Sequence, residues 1–213
     1  MRQRKTKDVD LKLKVYENYL PPDGKINKGI WNEIFTTKGD IYLELGCGKG
    51  QFIVNMAKKH LENNYIGAEG QPSVILRAIE KAADLETNNI KFITGFIYDI
   101  TEYFEEDELS GIYLNFSDPW PKDRHAKRRL THNRFIKGFK NVVKPGSFLE
   151  FKTDNSELFE FTIEEILAEG LTPVEITRDL HSSLFTAKEI TTEYEDKFNN
   201  MGEKINFLKV KLK

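Results

Sequence analysis

The stretch LELGCGKGQF, Leu43 to Phe52, sets three glycines at alternate positions between a β-rich run and an amphipathic one. Gly46, Gly48 and Gly50 fall where a chain leaving a strand must turn sharply and let a ligand approach its backbone. This G-x-G-x-G spacing differs from the G-x-G-x-x-G of dinucleotide sites, whose helix N-terminal amides cradle a pyrophosphate. Glu44 stands two residues before the first glycine, and a carboxylate there repels a pyrophosphate but attracts a cationic amino group. The loop therefore points to a zwitterionic ligand that carries adenosine. Glu69 adds to this, because it ends the next β-rich run in YIGAEG, where an acid at a strand's carboxyl end can accept from both ribose hydroxyls.

Outward from the loop, short β-rich runs alternate with helical ones. The runs IYLEL (41–45), NYIGA (64–68), IKFIT (90–94), GIYLNF (111–116) and SFLEFK (147–152) are separated by GQFIVNMAKKHL, PSVILRAIEKAADLE and THNRFIKGFKNVV, which have apolar residues near helical spacing. This alternation predicts an α/β protein with a mostly parallel sheet and helices on both faces. SELFEFTIEEILAEG reads as a further helix, with Ser156 as N-cap and Gly170 as its stop. TPVEITRDL (172–180) and INFLKVKLK (205–213) read as two late strands that pair antiparallel at one edge, joined by a long polar loop over 181–204. A single domain over residues 1–213 is expected, with 1–20 a basic arm free to move.

Composition narrows the function. The charged start lacks an apolar stretch that could serve as a signal or membrane span, so a cytoplasmic protein without a membrane partner is expected. One cysteine, Cys47, excludes an internal disulfide and reads as a small buried filler; four dispersed histidines give no metal-site spacing, so no metal is expected. The net charge of -2 conceals local asymmetry, with five acids in EYFEEDE (102–108) and five Lys/Arg in KDRHAKRR (122–129).

That basic run follows NFSDPWP, and the combination is informative. Asp118 falls at the carboxyl end of the fourth strand, facing the crevice expected at the sheet's switch point, while Pro119 and Pro121 restrain the backbone around Trp120. A carboxylate can accept from a nucleobase's N–H groups, an aromatic plane can stack on it, and Lys122, Arg124, Lys127, Arg128 and Arg129 can hold phosphates nearby. His125 and His132 read as phosphate or surface groups rather than proton shuttles.

The glycine loop with its preceding acid resembles the first motif of the S-adenosylmethionine-dependent methyltransferases of Rossmann-like fold, whose seven-stranded sheet ends in an antiparallel hairpin. The segment YLNFSDPWPKDRHAKRRL (113–130), with FKTDN (151–155) and TEYE (192–195), resembles more specifically the bacterial tRNA (guanine-N7-)-methyltransferases. The resemblance runs from about residue 40 to the C-terminus. It implies S-adenosylmethionine as cofactor, tRNA as partner and N7 of guanosine 46 in the variable loop as methyl acceptor. It makes Glu44, Glu69 and Asp118 cofactor or active-site residues, and Lys122, Asp154, Thr192, Glu193, Tyr194 and Glu195 contacts to the substrate guanosine. The basic run from Arg124 through His125, Lys127 and Arg128 to Arg129 is expected to bind RNA.

One position departs from the family. TGFIYD places Phe96 where an Asp or Asn usually receives the adenine amino group, and an apolar ring cannot accept that bond. Phe96 is expected to pack against adenine while a backbone carbonyl takes the amino group. Three other readings stay open on residues alone: a methyltransferase of the same fold acting on an exocyclic amine of DNA or a protein glutamine, a non-catalytic RNA-binding module, and a nicotinamide dehydrogenase. The basic run argues for a nucleic-acid substrate, and the glycine spacing with Glu44 counts against the last. Monomer and homodimer are equally open.

Overall fold

The computed structural model describes residues 8–21 and 24–213, so residues 1–7 of the expected arm lie outside the described residues. In chain order the elements are α1 (Val9–Lys14), α2 (Trp31–Ile34), β1 (Ile41–Leu45), α3 (Gln51–Lys59), β2 (Asn64–Glu69), α4 (Pro72–Asp84) and β3 (Ile90–Thr94). They continue with β4 (Leu109–Asn115), α5 (Asn133–Val142), β5 (Val143–Thr153), α6 (Ser156–Ala168), β6 (Pro173–Thr177), α7 (Glu193–Asn200) and β7 (Asn206–Lys211). The seven strands form one sheet in the order β3-β2-β1-β4-β5-β7-β6, parallel except for β7, which runs antiparallel to both neighbours. The chain's order reverses between β1 and β4, which opens a crevice above the carboxyl ends of those strands.

Strand alternation decides what faces each helix layer. Ile41, Leu43 and Leu45 of β1, Ile112 and Leu114 of β4, and Leu149 and Phe151 of β5 pack under α5 and α6 in the larger core. The residues between them face the α3 side, so Tyr42, Tyr113 and Phe148 join the second core with Phe52, Ile53, Ile75 and Ile79. By the same alternation Glu44, Asn115 and Lys152, near the strands' carboxyl ends, share that face, and Asn115 and Lys152 are register partners across β4 and β5.

Three differences from the sequence expectations have clear causes. Residues 8–20 do not hang free: the Phe92 N–H donates to the Tyr19 carbonyl at 2.8 Å, and Leu13, Tyr16, Tyr19 and Leu20 pack on the second core, which covers the open edge at β3. The N-cap of α6 is Asn155 rather than Ser156, since the Asn155 side-chain Oδ1 accepts from the Leu158 N–H at 2.7 Å; Gly170 follows at φ 72° and ends the helix. The expected loop 181–204 contains α7, capped by Thr192, whose hydroxyl accepts from the Glu195 N–H at 2.9 Å. Among the described residues no helix is long and apolar enough to cross a membrane.

Candidate active site

Glu44 is buried to 1 % exposure at the base of the crevice. One carboxylate oxygen accepts from the Asn115 side chain at 2.8 Å, while the other is buried with no hydrogen-bond partner among the described residues. Burial pushes this carboxyl up to about 7, against which the Asn115 bond and the Lys152 charge act weakly. A buried acceptor without a donor costs stability unless something fills it, and a ligand's cationic amino group has the right chemistry.

The glycines divide by what surrounds them. Gly46 and Gly48 hold φ of 78° and 56°, and a Cβ added to either would meet nothing within 4 Å, so the open space lies on the ligand side. Gly50, expected as a third cofactor contact, does something else: an added Cβ would stand 2.6 Å from Cβ of Ala78, so it is the glycine that lets α3 and α4 approach. Cys47 is buried in the second core, as a small filler would be.

Glu69 ends β2 with one oxygen accepting from the Gln71 N–H at 2.9 Å. Burial holds its carboxyl above the usual range, and Asp118 is close enough to raise it further. The Gly95 N–H donates to the Glu69 carbonyl at 2.9 Å, which brings Phe96 alongside. The Phe96 ring is 62 % exposed and lies over Gly70, where an added Cβ would come within 2.3 Å of it. Glu44, the two open glycines, Glu69 and Phe96 thus line one edge of the crevice.

Asp118 is exposed on the wedge that follows β4. Trp120 holds φ at 41°, a strained value for a residue with a Cβ, and Arg129 keeps it there. The Arg129 guanidinium donates to the carbonyls of Pro119 at 3.0 Å and Trp120 at 3.1 Å and stacks 4.3 Å from the centre of the Phe161 ring. Arg129, expected to touch RNA, is therefore turned inward as the clamp of the wedge. Arg128 covers the Trp120 ring at 4.8 Å and His125 meets that ring edge-on, while Lys122, Arg124 and Lys127 are exposed and make no ion pair among the described residues. His132 caps α5, its Nδ1 accepting from the Arg134 N–H at 3.2 Å.

The segment before β7 closes over the α3 side of the site. Asp154 is exposed at the end of β5 and Tyr194 on the first turn of α7, its ring stacked 6.4 Å from that of Phe116. Glu193 pairs with Lys81 at 2.7 Å. Thr192 and Glu195, expected as guanosine contacts, point the other way: Thr192 caps α7, and the fully buried Glu195 pairs with Lys152 at 3.0 Å. Lys152 is the residue that sequence reasoning passed over, although it sits inside FKTDN; a lysine on a strand carries no sign that it will be buried. Among the described residues no cluster of His, Cys, Asp or Glu side chains could hold a metal ion.

A family model described as "Putative methyltransferase" matches residues 38–208. A tRNA (guanine-N(7)-)-methyltransferase of Clostridioides difficile (strain 630) is 45% identical over 206 residues, 96% of this chain and 96% of its own length. That of Lachnoclostridium phytofermentans is 43% identical over 191 residues, 90% and 89% of the two chains. The chain belongs to the tRNA (guanine-N(7)-)-methyltransferase family. Among solved structures, a SAM-dependent methyltransferase from Aquifex aeolicus aligns with a TM-score of 0.57 at 13% identity over 98% of this chain and 100% of that one. An antibiotic-related methyltransferase aligns with a TM-score of 0.58 at 16% identity, covering 98% and 95%; at such identities the likeness speaks for the fold. The methyl donor of this tRNA (guanine-N(7)-)-methyltransferase is S-adenosylmethionine, and the unpartnered oxygen of Glu44 and the open side of Gly46 and Gly48 fit its amino acid end.

Proposed function

We propose that the chain methylates N7 of guanosine 46 in the tRNA variable loop, working in the cytoplasm as a single domain. The observation that carries this reading is the meeting, at one crevice, of the Glu44 oxygen without a donor and the clamped Asp118–Trp120 wedge with exposed cations beyond it. Bound S-adenosylmethionine supplies an electrophilic sulfonium methyl. Guanine N7 already offers a lone pair, so no residue has to remove a proton first, and orientation dominates the rate. Glu44 holds the amino group, Glu69 the ribose and Phe96 the adenine face. Asp118 orients the guanine and offsets positive charge that develops on the purine. Lys122, Asp154 and Tyr194 approach the guanosine, and Arg124 and Lys127 neutralise phosphates around it. Nucleoside mass spectrometry of unmodified tRNA incubated with enzyme and S-adenosylmethionine tests the reading. 7-Methylguanosine at position 46 alone supports it, and the same product at another position moves the assignment to that site.

Two further outcomes follow from the same geometry. Removing Arg124 and Lys127 together (both to Ala) should lower the slope of log affinity for tRNA against log salt by about one per cation removed. Arg129→Ala should instead leave the slope unchanged and reduce turnover, because it releases the Pro119 and Trp120 carbonyls. At the adenine end, Gly70→Ala should push the exposed Phe96 ring aside rather than distort the backbone. Cofactor affinity measured by calorimetry should then drop by about tenfold, the scale of one lost aromatic contact. Unchanged affinity in Gly70→Ala would remove Phe96 from the cofactor site.

A further inference from the structure

Lys152 is 1 % exposed at the end of β5, and its ammonium gathers acceptors from three places in one segment of chain. It donates to the Ala187 carbonyl at 2.6 Å, the Ile190 carbonyl at 3.0 Å and the Glu195 carboxylate at 3.0 Å. Glu195 is fully buried, and His181 Nε2 lies 3.2 Å from its other oxygen. A buried pair of this kind is weak evidence for stability, because desolvation offsets much of the Coulomb attraction and apolar residues of similar volume often hold a fold as well. What the pair fixes is geometry. From the flanks, the Gln51 side chain donates to Asp196 at 2.6 Å and Lys81 pairs with Glu193 at 2.7 Å, tying the same segment to α3 and α4 beside the glycine loop. At its outer face Tyr194 stacks with Phe116, which holds φ at 53° two residues before Asp118.

We propose that Lys152 is a positioning residue for methyl transfer: by collecting the Ala187 and Ile190 carbonyls and the Glu195 carboxylate on one ammonium, it sets where Tyr194 stands against the Phe116–Asp118 wall of the crevice. Glu195 is the anchor of the segment rather than a contact to the guanosine. The inference rests on the reading that Tyr194 meets the guanosine, and the experiment separates the two.

Steady-state kinetics on tRNA, cofactor calorimetry and thermal melts are compared for wild type, Lys152→Met, the double variant Lys152→Met with Glu195→Gln, and Tyr194→Ala. Lys152→Met alone leaves a carboxylate buried without its partner and is expected to melt early. The double variant has no such charge and is the decisive one: it should fold and bind cofactor within about twofold of wild type, with KM for tRNA raised about tenfold. Charge balance alone predicts that the double variant regains wild-type KM together with its melting temperature, and that result overturns the proposal. Equal losses in cofactor affinity and in KM mark general loosening and overturn it too. Tyr194→Ala should raise KM for tRNA by a similar factor. If it does and the double variant does not, positioning by Lys152 falls while the guanosine reading stands. If Tyr194→Ala leaves KM unchanged, the guanosine reading of the segment falls, and this proposal with it.

Discussion

Replacing Asp118 by alanine should lower kcat by about 10²- to 10³-fold, the scale of removing one preorganised electrostatic partner from a transition state, while tRNA binds with near wild-type affinity. The separation follows from the wedge. Asp118 stands at the crevice, whereas Arg124 and Lys127, the cations proposed for phosphate, are carried on the following turn and keep their places without it. Trp120 also stays in place, since its carbonyl is held by Arg129. Single-turnover rates at saturating cofactor, with tRNA binding measured by filter retention, give the two numbers. Near-normal turnover in Asp118→Ala would remove the residue from the chemistry. A parallel loss of tRNA affinity would make it a binding group.

The second large effect belongs to Glu44 and depends on pH. Its carboxyl, at about 7 in the folded chain, stands above the 4.5 of an ordinary glutamate. Between those values the folded chain keeps a proton that the unfolded chain has released, so this group makes the free enzyme less stable as pH rises through the window, by about 3 kcal/mol in all. A cationic amino group selects the ionised carboxylate, so cofactor affinity should run the opposite way. It should be full above pH 7 and weaken by up to about tenfold per pH unit below it. Glu44→Gln should abolish the pH dependence between 6 and 7.5, bind cofactor at least about a hundredfold more weakly at pH 8, and melt at a higher temperature there than wild type without ligand. Calorimetry across that range, beside melts without ligand, checks both halves. A Glu44→Gln enzyme that keeps the wild-type pH profile would place the titrating group elsewhere.

Much of this architecture was legible in the residues because the relevant signals are local. The alternation of IYLEL against GQFIVNMAKKHL, with glycines at the junction, specifies strand, turn and helix together. NFSDPWP names a rigid corner by its prolines. What escaped was decided by partners distant in the chain. α7 reads EYEDKFNN, which lacks an apolar stripe because its fully buried residue is Glu195, a charge neutralised from β5. Arg129 and Arg128 are indistinguishable as adjacent arginines, yet one faces two carbonyls of the wedge and the other is exposed on the Trp120 ring. Ser156 lost the capping role to Asn155 by one residue, because it is the Asn155 side chain that reaches the Leu158 N–H. Phe96 was visible as a departure from the family, but its place over Gly70 needed the fold.

The glycine loop is proposed to lie against an alkylating agent, and the chain's one thiol sits inside that loop. The Cys47 sulfur lies against β2, where an added Cβ on Gly67 would come within 3.0 Å of it. Burial, with Glu44 and Glu69 adding their charge, pushes its thiol well above the ordinary range. At neutral pH the sulfur is protonated, and the thiolate is the reactive form. Burial, together with the two carboxylates proposed to hold the donor, thus keeps the thiol beside it in the less reactive protonated form.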